Sequence, residues 1–353
     1  MKLTTSIEQN APIVTATKSR LVWDYLRRKF ISSVDNDMQW LLASRFHDFG
    51  YRGVSSEETA MTTGIAHLVS FEGTDTMCAG WLATRYNDGV PVGESVLASE
   101  HSVMTCWDTE LEAVKHLIEM APRGSILSVV ADSYDYDNFL ENILKEVAPL
   151  SQEKDLLFVV RPDSGDPIIQ VEKALFWANK WFGSSLNTKG YKVLNGAAVI
   201  QGDGLDFGTL CRVADAVESL GYSAQCVAYG MGGGLLQKQN RDTLRVATKL
   251  SRVMFADGRV ADRMKRPKSD LSKFSLPGAF RVVDEGSSLK VYPDNGSENL
   301  LEVVWDCGPV SYQFESFQTI RDRATAQWLK RDSFADVISD ELRAKIAMII
   351  KES

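Results

Sequence analysis

Ser125-Ile-Leu-Ser-Val-Val-Ala-Asp132, Leu156-Leu-Phe-Val-Val-Arg-Pro-Asp163, Ala197-Ala-Val-Ile-Gln-Gly-Asp203 and Ala224-Gln-Cys-Val-Ala-Tyr-Gly230 share one design. Each is a short apolar run that breaks into small or charged residues at its C-terminal end. Short, near-continuous runs rich in Val and Ile read as strands buried on both faces. Helical patterns separate them. Asp137 to Val147 carries Phe139, Leu140, Ile143, Leu144 and Val147 at the spacing of one helix face. Pro167 to Phe182 opens with a proline, whose missing N–H is harmless in a first turn, and Leu205 to Leu220 ends at Gly221, a natural C-cap. Strand–helix alternation implies parallel strands joined by right-handed crossovers, as a barrel or an open sheet. Both architectures gather functional groups at the C-terminal strand ends. Here those ends carry Asp132, Arg161, Asp163, Asp203 and a glycine cluster.

The flanks read differently. His67 to Phe71 is a further strand-like run, and Ile13 to Phe30 combines a strand-like start with a helical tail. Phe280 to Pro309 is β-like, with Asp294-Asn-Gly296 as a turn signal, and Asp336 to Lys351 reads as an amphipathic helix. This predicts an α/β domain over 41–255 and a smaller β-rich flanking domain drawn from 1–40 and 256–353.

Bulk properties exclude some classes. The 353 residues carry a net charge of −8, which argues against general nucleic-acid binding, since that needs a broad basic surface to replace counterions. A small anion in a local basic pocket stays compatible. The five cysteines include no C-x-x-C pair, the first twelve residues lack a basic-then-apolar leader, and no apolar run nears the ~20 residues a bilayer requires. The expectation is a cytoplasmic protein with no membrane segment.

Several strand-end motifs could carry chemistry. Gly230-Met-Gly-Gly-Gly234 follows a strand and precedes a helix, so exposed N–H groups at Gly232 and Gly233 suit a phosphate, with Lys238 and Arg241 further along to add charge. A plain tight turn is the alternative. Arg161-Pro-Asp-Ser-Gly-Asp-Pro167 is a rigid polar loop. Arg161 could stack on a flat ring or hold a phosphate, and Asp163 could steady a cation or a ribose hydroxyl; equally, the loop could simply cap the next helix. In Gln201-Gly-Asp-Gly204, Gly202 admits close approach and Asp203 suits two adjacent hydroxyls. His101, beside Glu100, could carry a proton or accept a phosphoryl group, although a lone histidine is more often structural. Phe49 and Arg52 place an aromatic and a cation three apart in a glycine-rich loop. Arg259 to Lys273 is a basic island that reads either as a solvated loop or as a lid over phosphates.

Taken in order, HDFGYRGVSSEETA (47–60), FEGTDT (71–76), LASEHS (97–102), VVADSYD (129–135), RPDSGDP (161–167), VIQGDG (199–204) and GMGGGLLQKQNRD (230–242) resemble the nicotinamide phosphoribosyltransferase family. The resemblance runs from about Ile13 to the final helix, and seven ordered motifs are far more specific than any one. It implies the irregular α/β barrel of that family and the joining of nicotinamide to the ribose of phosphoribosyl pyrophosphate (PRPP), as in NAD salvage. By resemblance, Phe49 stacks on nicotinamide with Arg161 on its other side or edge, and Asp75 accepts the carboxamide N–H. Arg52, Gly232, Gly233, Arg241 and Lys249 hold phosphates, Gly202 and Asp203 hold the ribose, and Asp163 lies beside the reacting carbon. His101 would be phosphorylated by ATP, with Glu100 and Asp132 orienting it, while Mg²⁺ neutralises the departing pyrophosphate. The family also implies a homodimer with the active site at the interface.

The chain departs from the family pattern by an absent N-terminal stretch, which in the family supplies a second aromatic across the dimer. It also has Ala198, Ala247 and Ala256 where Arg, Ser and Lys are usual in the family, and Arg259 could compensate for the last. These departures keep two alternatives open. One is nicotinate phosphoribosyltransferase, against which Asp75 argues by repelling a carboxylate. The other is a catalytically weak nucleotide-binding subunit completed by a companion chain.

Overall fold

A computed structural model describes residues 7–238, 244, 249–267, 274–303, 308, 310–311, 313, 315–331 and 336–351, and side chains from residue 11. The chain divides into two compact units, Ser6–Leu244 and a second from Arg245 onward.

The first unit is built on a parallel sheet of six strands: β1 (Phe46–Asp48), β2 (Leu97–Ala98), β3 (Ile126–Val130), β4 (Leu157–Arg161), β7 (Ala197–Gln201) and β8 (Val227–Met231), in the order β1-β8-β7-β4-β3-β2. A small antiparallel pair, β5 (Ser184–Leu186) with β6 (Lys192–Leu194), sits between β4 and β7 in the chain. The four predicted runs are the four central strands, and all five residues of β7 and of β8 are buried.

The sheet curls until its edges are bridged. Asp48 pairs in parallel with Thr74, and Gly73 with Glu94, three residues before β2. The backbone bonds Asp48 N–H to Gly73 O (3.1 Å), Thr74 N–H to Glu94 O (2.9 Å) and Glu94 N–H to Glu72 O (2.7 Å) make these joins. An irregular barrel results, as expected.

Residues alternate between its two faces. Val159, Ala198, Ile200 and Ala228 form a small inner cluster with Phe49 against it. Phe158, Val160, Val199, Val227 and Tyr229 point outward into the main core. That core lies between the sheet and the surrounding helices: α1 (Ile7–Ser33), α2 (Glu57–Leu68), α3 (Met77–Arg85), α4 (His101–Met104), α5 (Glu110–Met120), α6 (Tyr136–Asn138), which continues through a π turn into α7 (Leu144–Glu153), α8 (Pro167–Phe182), α9 (Phe207–Ser219) and α10 (Gly233–Leu236).

Three expectations need correction. Ile13 to Phe30 has no strand-like start. It lies wholly within α1, where Val14, Val22, Leu26 and Phe30 make a buried stripe at helical spacing, and that packing overrides the β-preference of Ile13, Val14 and Thr15. Moreover, α1 packs on α2 and α9 within the first unit, whereas the sequence grouped residues 1–40 with the flank. Finally, His67 to Phe71 closes α2 instead of forming a strand. His67 bonds Ser19 Oγ (2.9 Å) and Gly73 O (3.1 Å) and stacks on Phe71, so this histidine is structural.

The second unit holds two antiparallel pairs, β9 (Arg252–Met254) with β10 (Val260–Asp262) and β11 (Phe280–Asp284) with β12 (Leu289–Pro293). Helices α11 (Phe317–Lys330) and α12 (Asp340–Lys351) follow. The β11–β12 hairpin turns at Glu285–Ser288. Asp294-Asn-Gly296, the turn signal in the sequence, instead sends the chain out of β12, and Leu300 N–H then returns to Val282 O at 2.9 Å.

Candidate active site

The C-terminal ends of the barrel strands open into a cavity of about 780 Å³, within the range that holds a nucleotide-sized ligand. Phe49, Arg52, Asp75, Glu100, His101, Arg161, Asp163, Gly202, Asp203, Gly232 and Gly233 all line it. Residues from six separate sequence motifs thus meet in one place.

Phe49 occupies the floor. Its N–H donates to Met231 O at 3.0 Å, which seats the 49–53 turn on the C-terminal end of β8. Gly230 makes room for the ring, because a Cβ there would stand 2.1 Å from Phe49 Cε2. A Cβ on Gly202 would lie 3.4 Å from the same ring, 3.6 Å from Arg161 Cδ and 3.2 Å from Asp163 Oδ1. Ring, guanidinium stem and carboxylate therefore converge around one glycine. Such an arrangement suits a flat heteroaromatic ring, offering an aromatic side chain, a planar cation and a shelf without side chains. Asp75 stands at the same floor with Oδ1 accepting from Ser95 Oγ (2.6 Å). Beneath, Asp48 accepts from Gly50 N–H (2.7 Å), and burial pushes its carboxyl up to about 6.

One side of the cavity is rich in carboxylates. His101 starts α4, with Nδ1 3.1 Å from Ser133 Oγ and Nε2 3.2 Å from Asp163 Oδ2. Asp132 Oδ1 is 4.0 Å from Nε2, while its Oδ2 accepts from Asp163 N–H (3.1 Å) and from Ser164 Oγ. Asp132 thus fixes the 161–167 loop that presents Asp163. Asp166 caps α8 through Ile168 and Ile169 N–H, so this loop serves both as helix cap and as cavity wall. The expected pair of orienting carboxylates divides. Glu100 caps α4 through the hydroxyl and N–H of Ser102, bonds that hold its carboxyl below the usual range, and Ser133 takes the place beside the histidine. Behind this cluster Glu110 is 5% exposed, accepts from Ser133 N–H and leaves Oε1 without a partner; burial raises its carboxyl to about 7.

The opposite side is cationic. Lys18, Arg52 and Lys238 line it around Gly53 and Gly232 to Gly234. Arg241 and Ala247 lie outside the described residues. Lys249 is exposed and falls in the second unit. Ala198 faces the barrel interior beside Ile200 and Ala228. Among the described residues no group of three or more His, Cys, Asp or Glu side chains is placed to hold a metal, and no helix is long and apolar enough to cross a membrane.

The sequence reading missed Lys18, Ser133 and Glu110. Ser133 sat next to a chosen aspartate and could have been included. Nothing local marks Lys18 or Glu110, because both reach the site through packing.

The cavity thus gathers an aromatic ring, cations and carboxylates at the C-terminal ends of parallel barrel strands, where folds of this class carry their ligands. Residues 44–308 match the nicotinate phosphoribosyltransferase (NAPRTase) family, and the chain belongs to that family of phosphoribosyltransferases. It is 36% identical over 332 residues to a nicotinamide phosphoribosyltransferase of Xanthomonas campestris pv. campestris, covering 89% of this chain and 69% of that protein. It is 34% identical over 263 residues to the nicotinamide phosphoribosyltransferase of Mycoplasma pneumoniae, covering 70% of this chain and 55% of that one. The chain therefore spans just over half to about two thirds of these relatives' lengths. Among solved structures, nicotinate-nucleotide pyrophosphorylase from Pyrococcus furiosus superimposes with a TM-score of 0.59 at 15% identity, covering 91% of this chain and 70% of that one, a likeness of fold.

Proposed function

We propose that this chain transfers the phosphoribosyl group of PRPP to nicotinamide, releasing pyrophosphate and forming nicotinamide mononucleotide for NAD salvage. The observation that carries the reading is the cavity's division: a ring-binding floor at Phe49, Arg161 and Asp75, with cations on one side and carboxylates on the other.

Each part suits one part of the reaction. The pyridine nitrogen is a neutral nucleophile and needs no base. As its bond to the ribose carbon forms and the bond to pyrophosphate breaks, positive character builds on the sugar, where Asp163 and Asp203 can stabilise it. Arg52, with Gly232 and Gly233, meets the phosphates. A cavity-lining carboxylate at Asp75 favours the amide, since nicotinate would bring a second negative charge and no donor. This argues for nicotinamide over nicotinate.

The donor set also fits Mg²⁺. Asp163 and Asp203, on the neighbouring β4 and β7 loops, offer hard oxygens, and Mg²⁺ characteristically takes one or two carboxylates plus phosphate oxygens and water. When bound it supplies charge neutralisation for the leaving pyrophosphate.

ATP coupling belongs to the same reading. A ring nitrogen of His101 takes the terminal phosphoryl of ATP as ADP leaves, and water later releases it as phosphate; Ser133, Asp132 and Asp163 surround the ring. The working assembly in this reading is a homodimer, or a complex with a companion chain. Met77 and Trp81, exposed one helical turn apart on α3 just after Asp75, offer an apolar face beside the base pocket.

The test is a product assay with purified chain, PRPP and Mg²⁺, using nicotinamide or nicotinate, with and without ATP. Mononucleotide from nicotinamide in preference to nicotinate supports the proposal. An ATP-driven gain in yield that disappears in His101→Ala supports the coupling. Product from nicotinate alone would overturn the choice of base. No product from either base, with PRPP bound and the chain folded, would leave the binding-subunit alternative in its place.

A further inference from the structure

Lys18 lies far from every motif that marks the cavity, yet it lines the cavity wall. It projects from the second half-turn after Thr15 in α1, and the two residues dock side by side on the glycine-rich turn. Thr15 Oγ1 donates to Leu235 O (3.2 Å) and Lys18 Nζ donates to Gly234 O (3.0 Å). One N–H of the ammonium is thereby fixed, and two remain for other partners.

Some partly shielded lysines of this chain stand against carboxylates, Lys29 with Asp215 and Glu218 and Lys345 with Asp262, while Lys154 rests on the carbonyls of Ile118 and Glu119, away from the cavity. Lys18, half-buried, has no carboxylate partner among the described residues, and neither have Arg52 and Lys238 on the same wall. Burial holds the Lys18 ammonium below its ordinary range, so an incoming anion would relieve a real desolvation penalty. The turn holding Arg52 lies directly against this site, since a Cβ on Gly53 would stand 3.2 Å from Gly233 Cα. Three cations without an acid partner among the described residues thus line the wall around one glycine turn, in a chain of net charge −8, a placement suited to an anion.

We propose that Lys18 is a substrate-binding residue whose ammonium contacts a phosphate group of the phosphoribosyl donor, so that α1 forms part of the active site. This rests on the phosphoribosyltransferase reading and adds a residue to it. The bond to Gly234 O presets the ammonium beside the phosphate. A role confined to capping that carbonyl would leave substrate affinity insensitive to the charge.

The test combines kinetics with calorimetry on the full chain. Lys18→Met keeps the aliphatic stem and removes the charge, Lys18→Gln keeps a donor, and Lys18→Arg keeps the charge. Lost charge-assisted hydrogen bonding to one phosphate is expected to raise KM for PRPP about tenfold or more in the Met and Gln variants, with kcat and KM for nicotinamide little changed, while Arg restores most of the affinity. Calorimetric titration of ribose 5-phosphate and of pyrophosphate requires no turnover. The ligand whose binding weakens in Lys18→Met identifies which end of the donor Lys18 holds. Folded Met and Gln variants that bind both ligands and PRPP like the wild type would overturn the assignment. If all uncharged variants unfold, a Lys18→Arg chain that folds but shows no affinity for either ligand, against clear binding by the wild type, would show that charge is insufficient and overturn it as well; retained affinity supports it. A wild-type chain that binds neither ligand nor PRPP would overturn the phosphoribosyltransferase reading itself, and this inference with it.

Discussion

The two sides of the cavity are built on opposite terms. On the carboxylate side the acids are mostly engaged within the protein: Asp163 with His101, Asp132 with the Asp163 N–H and Ser164, Glu100 with Ser102, and Asp206 with Thr209 N–H at the start of α9. On the cationic side Lys18, Arg52 and Lys238 have no acidic partner among the described residues. The first side is a frame largely hydrogen-bonded within the protein, though Asp132 Oδ1 and Glu110 Oε1 find no hydrogen-bond partner among the described residues; in the proposed reaction such a frame needs little reorganisation when positive charge develops on the substrate. The second has cations with no acid partner among the described residues, Lys18 resting on the Gly234 carbonyl. Under the proposed function the carboxylate half would shape the chemistry and the cationic half supply affinity, a division that can be tested one residue at a time.

The largest effect is expected at the frame. Asp163→Asn keeps the shape of the loop and removes the charge that the proposed reaction sets beside the ribose, so kcat should fall about 10²–10³-fold with KM for PRPP moving far less. A drop confined to KM would place Asp163 among the affinity groups and erase the distinction between the sides.

Next comes the floor between them. Gly230→Ala puts a Cβ where Phe49 Cε2 stands 2.1 Å away, so the ring must move. KM for nicotinamide should rise about tenfold, the equivalent of some 1.4 kcal/mol, with PRPP binding unaffected. Equal losses for both substrates would mean that the floor and the phosphate side move together.

Asp75→Asn should act more narrowly. The substituted amide both donates and accepts, so nicotinamide use should fall severalfold while discrimination against nicotinate relaxes. Unchanged selectivity in parallel assays would remove Asp75 from the base pocket.

The smallest effect concerns stability. Burial raises Glu110 from 4.5 to about 7. Between those values the folded state keeps a proton that the unfolded chain releases, so this group's contribution to stability declines as pH rises through that window. Glu110→Gln should flatten the fall in melting temperature over the same range. An identical pH profile in the variant would show that Glu110 is not the titrating group behind His101.

Much of the fold and site was legible before any coordinates, and particular residues show why. Val129, Val160, Val199 and Val227 sit in short apolar runs that local sequence can encode as strands, and the polar residues that follow each run fall at one end because the strands are parallel. The loop residues Arg161, Asp163, Gly202 and Asp203 could be selected for the same reason. By contrast, β1 has only three residues and carries too little pattern to separate it from the loop that follows.

By itself, then, the sequence determined the parallel α/β class, the strand ends that carry chemistry, and, through its ordered motifs, the family. Tertiary structure alone decided that isolated bridges at Gly73, Thr74 and Glu94 close the barrel, that α1 lies across the glycine turn and carries Lys18 to the cavity, and that Ser133 rather than Glu100 stands beside His101. The reason is physical: periodicity and turn chemistry are written in neighbouring residues, whereas Lys18 meets Gly234 across 216 positions of chain, through packing that no local pattern records.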